Sequence, residues 1–379
     1  MKKKILFVSS SIQFYENFLY ETLNKLKDNN QVFIATNVNN KRFNFDNIKL
    51  KNINFSRSFS IIKDLLTVFH LASYITKIKP DIIISSTPKG GLPITLVNFF
   101  FKIPRIHIFT GLMWSEKKTS LLNIFVKYTD KLIIKFSKKL YFDSKSQIDF
   151  LLQNNFPESK FCLTGKKGSM KGVNLFKFKN ENVDIKNKKK KYNISSKTLI
   201  LLFLGRISPE KGIETYIESV KELTKEGFDI KGFIVGRDEK NILINHVAKN
   251  FDFNQYFRYF EYTDQPEFFF QLADIVLIPS SREGFCQVAI EASACEVPVV
   301  GFNVVGLRDS ISHNETGFLV PYNDKVRFKE KIKLLLKDNN LRIKIGKQGR
   351  EFVKKNYMQE EVINEFINQL EEDMQNLCK

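Results

Sequence analysis

Pro279-Ser280-Ser281-Arg282-Glu283-Gly284-Phe285-Cys286-Gln287-Val288-Ala289-Ile290-Glu291-Ala292 follows directly on the apolar run Ile275–Ile278. The run reads as a strand stopped at Pro279, the polar residues after it as a turn, and the pattern from about Phe285 as a helix start. Gly284 lets the backbone come close to a ligand. A helix start aims unpaired N–H groups and a positive dipole end at whatever lies above the turn. Glu283 stands just outside that start. Glu291 comes six residues after Phe285, about 9 Å along the axis at about 1.5 Å per residue. Two carboxylates flanking an anion-binding helix start suit a ligand with hydroxyls at both ends and phosphate between, the chemistry of a nucleotide sugar. Carboxylates also gather at helix starts for dipole reasons alone, so the pair is weighed with the rest of the chain.

The same strand–turn–helix rhythm runs outward in both directions. Toward the N-terminus, runs at 5–8, 32–35, 82–85, 105–109 and 139–142 alternate with amphipathic stretches at 15–26, 61–78, 92–101, 123–138 and 147–153. Beyond residue 197, strands are expected at 198–204, 230–235, 274–278, 298–301 and 318–320. Helices are expected there at 213–226, 285–294, 326–336 and 342–356. Such alternation gives parallel sheets with helices on both faces, the doubly wound α/β class. Residues 182–197 are polar, rich in Lys and Asn, and without periodicity. The chain is therefore divided into an N-terminal domain at 1–180, a linker at 181–197 and a C-terminal domain at 198–357. A last acidic amphipathic helix, at about 358–379, is assigned to the first domain.

With 379 residues, 43% of them hydrophobic and 27% charged, the chain can build two substantial cores. Its net charge of +19 is unevenly placed: residues 1–196 hold 35 Lys and Arg against 13 Asp and Glu, the remainder 25 against 28. Such an excess marks an anionic partner (a membrane face, a phosphorylated acceptor or nucleic acid) or a Lys-rich solvated face. A nucleic-acid reading motif is absent, which leaves the first two partners. Cys162, Cys286, Cys295 and Cys378 form no C-x-x-C pair and have no His cluster beside them. Neither a disulfide framework nor a metal site is indicated, in keeping with a reducing cytoplasm. The apolar run after Lys2-Lys3-Lys4 is too short for a signal peptide, and stretches such as 92–101 fall short of the ~20 residues that span a bilayer. A soluble or peripheral protein is expected. No G-x-G-x-x-G follows a strand, and Walker A, H-E-x-x-H and Asp-x-Asp motifs are missing, so chemistry without cofactor or bound metal is expected.

A second stretch, Leu204-Gly205-Arg206-Ile207-Ser208-Pro209-Glu210-Lys211-Gly212, closes the first strand of the second domain and leads into a helix. Arg206 and Lys211 fall at the C-terminal edge of the sheet, where doubly wound folds bind ligands, and together can neutralise a diphosphate. Gly205-Arg206 with Lys211-Gly212, then Gly236, then Glu283 to Glu291 resembles the donor domain of family-4 retaining glycosyltransferases. Val297-Pro298-Val299-Val300, Gly306-Leu307-Arg308-Asp309 and Thr316-Gly317-Phe318-Leu319-Val320-Pro321 continue the likeness. The resemblance implies a GT-B fold, two Rossmann-like domains facing each other across a cleft. It implies a UDP-sugar donor held by Gly205, Arg206, Lys211, Gly236, Glu283, Gly284, Phe285 and Glu291. Arg206 and Lys211 would meet the diphosphate, Glu291 the ribose, and Glu283 the donor sugar, with Glu283, Arg206 and Lys211 as the catalytic set.

In the first half, Thr87-Pro88-Lys89-Gly90-Gly91-Leu92, Phe109-Thr110-Gly111-Leu112-Met113-Trp114, Asp143-Ser144 and Gly168-Ser169-Met170-Lys171-Gly172-Val173 look like a bacterial subgroup. Its members build capsule, O-antigen and other lipopolysaccharide or glycan precursors on polyprenyl diphosphate. By that likeness Lys89, Gly90, Thr110, Gly111 and Trp114 face the lipid-linked sugar acceptor. The chain departs from the pattern at Ser9-Ser10-Ser11, where a Gly-rich turn is usual, at Thr110, where relatives carry His, and at Asn174, where Asp is common. His107 is read as a packed strand histidine pointing away from Thr110. Trp114 either stacks on a sugar or lipid or packs in the core. Lys127, Lys131, Lys135, Lys138 and Lys139 on an otherwise aliphatic helix suit docking to an anionic membrane surface, and equally a helix packed on the sheet. The expected activity is hexosyl or N-acetylhexosaminyl transfer from a UDP-sugar to a lipid-linked acceptor, at the cytoplasmic face of the plasma membrane. A GT-B UDP-sugar epimerase and a non-catalytic subunit of a glycan-assembly complex are the alternatives.

Overall fold

A computed structural model describes residues 2–39, 41–56, 60–114, 120–180, 189–243 and 252–378. The chain forms two compact units, residues 1–171 with 360–379, and residues 172–359.

The first unit is built on a seven-stranded parallel sheet, β1 Lys4–Val8, β2 Gln31–Thr36, β3 Lys49–Asn52, β4 Ile82–Ser86, β5 Arg105–Phe109, β6 Lys139–Phe142 and β7 Phe161–Leu163. Its order is β3-β2-β1-β4-β5-β6-β7. Successive side chains of a strand point to opposite faces, and β1 shows the consequence. Ile5 and Phe7 pack with Phe366 and Leu370 of the helix Gln359–Leu377, whereas Leu6 and Val8 pack with Leu71, Ile75, Ile94 and Val97. Those last four belong to helices Ile61–Ile78 and Pro88–Phe101. The helix Gln359–Leu377 is further fixed by Tyr141, whose hydroxyl donates to Asp373 Oδ2 at 2.6 Å.

The second unit carries a six-stranded parallel sheet, β8 Leu199–Leu204, β9 Ile230–Val235, β10 Phe257–Phe260, β11 Ile275–Ile278, β12 Val299–Phe302 and β13 Gly317–Val320. Its order, β10-β9-β8-β11-β12-β13, changes direction between β8 and β11. The first sheet does the same between β1 and β4. At such switch points the loops leaving the strand ends splay apart and open a crevice, which is where doubly wound folds take their ligands.

Three strands, β3, β7 and β10, went unread in the sequence. They lie at or near sheet edges and are short, and β3, Lys49-Leu50-Lys51-Asn52, is largely exposed. Two boundaries also move. Residues 172–180 cluster with the second unit: Val173 N–H donates to Tyr357 O at 2.7 Å, and the Arg350 guanidinium donates to Phe178 O at 3.0 Å. The supposed linker is ordered where it is described: Lys189 is buried, its ammonium donating to Thr198 O at 2.8 Å, and Ile194 joins the core. Residues 181–188 lie outside the described residues. The helix expected from Phe285 is Gln287–Ala294, two residues shorter at its start, because Gly284 and Phe285 are held in the turn described next.

Candidate functional site

Two loops flank the switch point of the second sheet. The one after β8 runs from Gly205 to Gly212, the one after β11 from Pro279 to Cys286. They are tied together: Ser281 N–H donates to Glu210 O at 2.8 Å, and the Ser281 hydroxyl donates to the same oxygen at 3.1 Å. The loop after β12 supports them, since Glu283 N–H donates to Val305 O at 3.2 Å. Gly306 adopts φ +81°, and a Cβ there would lie 2.1 Å from Gly284 O. Only glycine lets these two turns meet so closely. Gly306 and the Ser281–Glu210 latch were not assigned to the site from the sequence, because their role depends on a neighbouring loop.

The same restriction applies at the end of β9. Gly236 has φ +150°, and a Cβ would lie 1.8 Å from Gly205 O. Gly205 and Gly236 therefore bring the ends of β8 and β9 against each other, leaving Arg206 exposed at the sheet edge. Lys211 does not stand alone. Its ammonium donates to both oxygens of Glu283, each at 2.7 Å, and the two side chains are 27% and 9% exposed. An ammonium has three N–H donors, so one remains beyond those given to Glu283. Glu291 is buried on the helix Gln287–Ala294. Burial pushes the Cys286 thiol far above its usual range, with Glu283 raising it further, Lys211 opposing and Glu291 adding. Phe285 contributes only backbone there; its ring is buried against Tyr357, centroids 5.2 Å apart.

In the first unit a cavity of about 280 Å³ opens beside the β1–β4 switch point, lined in part by Ser10, Thr87, Lys89, His107, Thr110 and Gly111. Thr87 holds φ +62°, unusual for a β-branched residue, and its hydroxyl accepts from Gly90 N–H at 3.2 Å and Ser10 N–H at 3.3 Å. Lys89 is ion-paired with Asp64 at 3.2 Å. His107 is buried and shares a hydrogen bond with the Ser85 hydroxyl, Nδ1 to Oγ 2.9 Å. Burial, helped by the Arg105 charge, holds its pKa well below the usual imidazole range, so it is neutral. Trp114 is corrected: it is not at the cavity but buried, donating from Nε1 to Asp130 Oδ2 at 2.9 Å and stacked on Phe156. Its size and apolar ring favour the core, and Asp130 satisfies its one N–H.

Among the described residues no group of His, Cys, Asp and Glu is gathered as a metal site, and no helix is long and apolar enough to cross a membrane. Residues 184–352 match the family described as glycosyl transferases group 1. Over 335 residues the chain is 30% identical to the capsular polysaccharide biosynthesis glycosyltransferase CapM of Staphylococcus aureus, covering 87% of each protein. It is 27% identical over 353 residues, 90% of each chain, to the N,N'-diacetylbacillosaminyl-diphospho-undecaprenol alpha-1,3-N-acetylgalactosaminyltransferase of Campylobacter jejuni. Among solved structures, Anabaena HepE in complex with UDP-glucose superposes with a TM-score of 0.80 at 15% identity, over 98% of this chain and 100% of that one. Two doubly wound sheets, loops packed through glycine at the second switch point, and a near-full-length relative all converge: the chain belongs to the glycosyl transferases group 1 family and is a glycosyltransferase of GT-B fold.

Proposed function

We propose that this enzyme moves a hexose or N-acetylhexosamine from a UDP-sugar to a polyprenyl-diphosphate-linked sugar, with retention at the anomeric carbon. It works as a family-4 enzyme in surface polysaccharide assembly, at the anionic inner face of the plasma membrane. The observation that carries this reading is the Lys211–Glu283 ion pair joining the two loops of the second switch point, with Arg206 exposed on the first loop and Glu291 on the helix that continues the second. The capsule role named for CapM, the diphospho-undecaprenol acceptor named for the Campylobacter enzyme and the UDP-glucose held by HepE support it.

The chemistry is electrostatic. As the bond from the sugar to the donor phosphate breaks, negative charge builds on the departing diphosphate, and cations already fixed there lower the barrier. Arg206 and the remaining N–H of Lys211 supply that charge. Glu283, held by Lys211, meets the sugar hydroxyls, and Glu291 meets the ribose. The acceptor hydroxyl attacks from the leaving-group side, so no carboxylate nucleophile is used, in contrast to paired-carboxylate glycosidases. No step is assigned to a metal or cofactor.

Incubation with a panel of nucleotide sugars, with and without a polyprenyl-diphosphate sugar and in excess EDTA, tests the proposal. Acceptor-dependent release of UDP that persists in EDTA is expected. Conversion of the donor without an acceptor would make the enzyme an epimerase. Activity abolished by EDTA and restored by Mg²⁺ would overturn the metal-independent chemistry.

A further inference from the structure

Helices Ile61–Ile78, Pro88–Phe101 and Leu121–Phe136 lie side by side on one face of the first sheet. Their inner stripes fill the core, as expected of amphipathic helices. Their outer stripes are apolar as well. Phe69 is 75% exposed on the first, Phe100 80% on the second and Leu121 86% on the third, and each has apolar neighbours on the same side. The Phe99 and Phe136 rings meet at 6.0 Å, joining the second stripe to the third. Phe69, Phe99 and Phe100 alone expose roughly 400 Å² at about 200 Å² per ring, as much as the largest patch of a typical monomer.

Charge identifies what covers this face. Lys63, Lys102, Lys131 and Lys135 are exposed on or beside these helices, and the ammonium groups of Lys131 and Lys135 lie over the rings of Tyr128 and Phe136 at 5.2 and 5.6 Å. The acidic residues of the three helices are withdrawn: Asp64 pairs with Lys89, and Asp130 is buried against Trp114. A second copy of this face would meet its own lysines, which disfavours self-association. Apolar side chains ringed by cations, without an exposed carboxylate, match the acyl–headgroup boundary of an anionic bilayer. We infer that these three helices form a membrane-insertion face whose phenylalanines enter the acyl layer while its lysines engage anionic headgroups. The inference rests on the proposed lipid-linked acceptor and deepens it from surface adsorption to insertion of a defined face.

Two variants of the full chain test it on vesicles of equal parts phosphatidylglycerol and phosphatidylcholine. The native protein has one tryptophan, Trp114, buried in the core, so a Phe100→Trp variant reports from the face. Its emission is expected to shift to the blue on vesicles and to be quenched by lipids brominated along the acyl chain. The double variant Phe99→Glu, Phe100→Glu alters exposed positions and is expected to keep its circular dichroism while losing vesicle binding about tenfold or more. Parental binding by the double variant would overturn the inference and leave the membrane reading to another surface. A parent that binds no vesicles would overturn both. A parental dimer in sedimentation velocity, lost in the double variant and unaccompanied by lipid quenching, would make the face a self-interface and overturn the inference.

Discussion

Lys211 and Glu283 grip each other through two hydrogen bonds, so removing Lys211 strips a cation from the site and strands a mostly buried carboxylate. Arg206, exposed at its sheet edge, makes no such pair among the described residues. Lys211→Ala is therefore expected to lower stability by roughly 1–3 kcal/mol, below the fully buried range because Lys211 is partly hydrated. Arg206→Ala should leave stability within about 0.5 kcal/mol while weakening UDP binding. Urea denaturation with calorimetry separates the two, and equal midpoints for both variants would contradict the assignment. Asp130 offers a second residue-scale prediction. Burial raises its pKa to about 7, with the Trp114 N–H partly opposing, and among the described residues Oδ1 has no hydrogen-bond partner. The native state then holds a proton that the unfolded chain has already released. Its stabilising contribution is complete below the unfolded carboxylate range and is lost as pH rises toward about 7. Asp130→Asn cannot ionise, so its denaturation midpoint should exceed the parent's at pH 8 and converge with it near pH 4; parallel pH profiles would refute this.

At the scale of elements, the loop ends at β8 and β9 are packed against each other through glycine. Gly236→Ala would drive a methyl group into Gly205 O, whereas Gly205→Ala meets nothing within 4 Å among the described residues and suffers only its backbone angle of φ +149°. The first should unfold at markedly lower urea and the second lose about 1–2 kcal/mol; similar midpoints would show that the loop ends yield freely. The contrast explains what was legible in the sequence. Strands buried on both faces, such as Ile82–Ser86 and Ile275–Ile278, announce themselves as apolar runs, and the site's charged residues stand in recognisable order. Edge strand β3 is polar because one side is wet, so pattern alone misses it. The Lys211–Glu283 pair spans 72 residues and the Trp114–Asp130 bond spans 16; neither meeting is written locally.

At the scale of the molecule, the second unit is one continuous stretch, while the first closes only with the helix Gln359–Leu377. Phe366 and Leu370 of that helix are fully buried in the first unit's core, and Lys139 pairs with Asp373 at 3.2 Å. Ending the chain at Gln359 should therefore abolish the first unit's unfolding transition and leave that of the second, with UDP binding retained. Two parental transitions in calorimetry would show the helix to be dispensable. The discontinuity also orders events on the ribosome. Residues 172–359 emerge complete before the helix that finishes the first unit, so the stretch made first is sealed last. Until then the strand face bearing Ile5 and Phe7 has the cover of Tyr15, Leu19 and Leu23 but lacks that of Phe366 and Leu370, and during synthesis it is this half-sealed face that calls for chaperone protection.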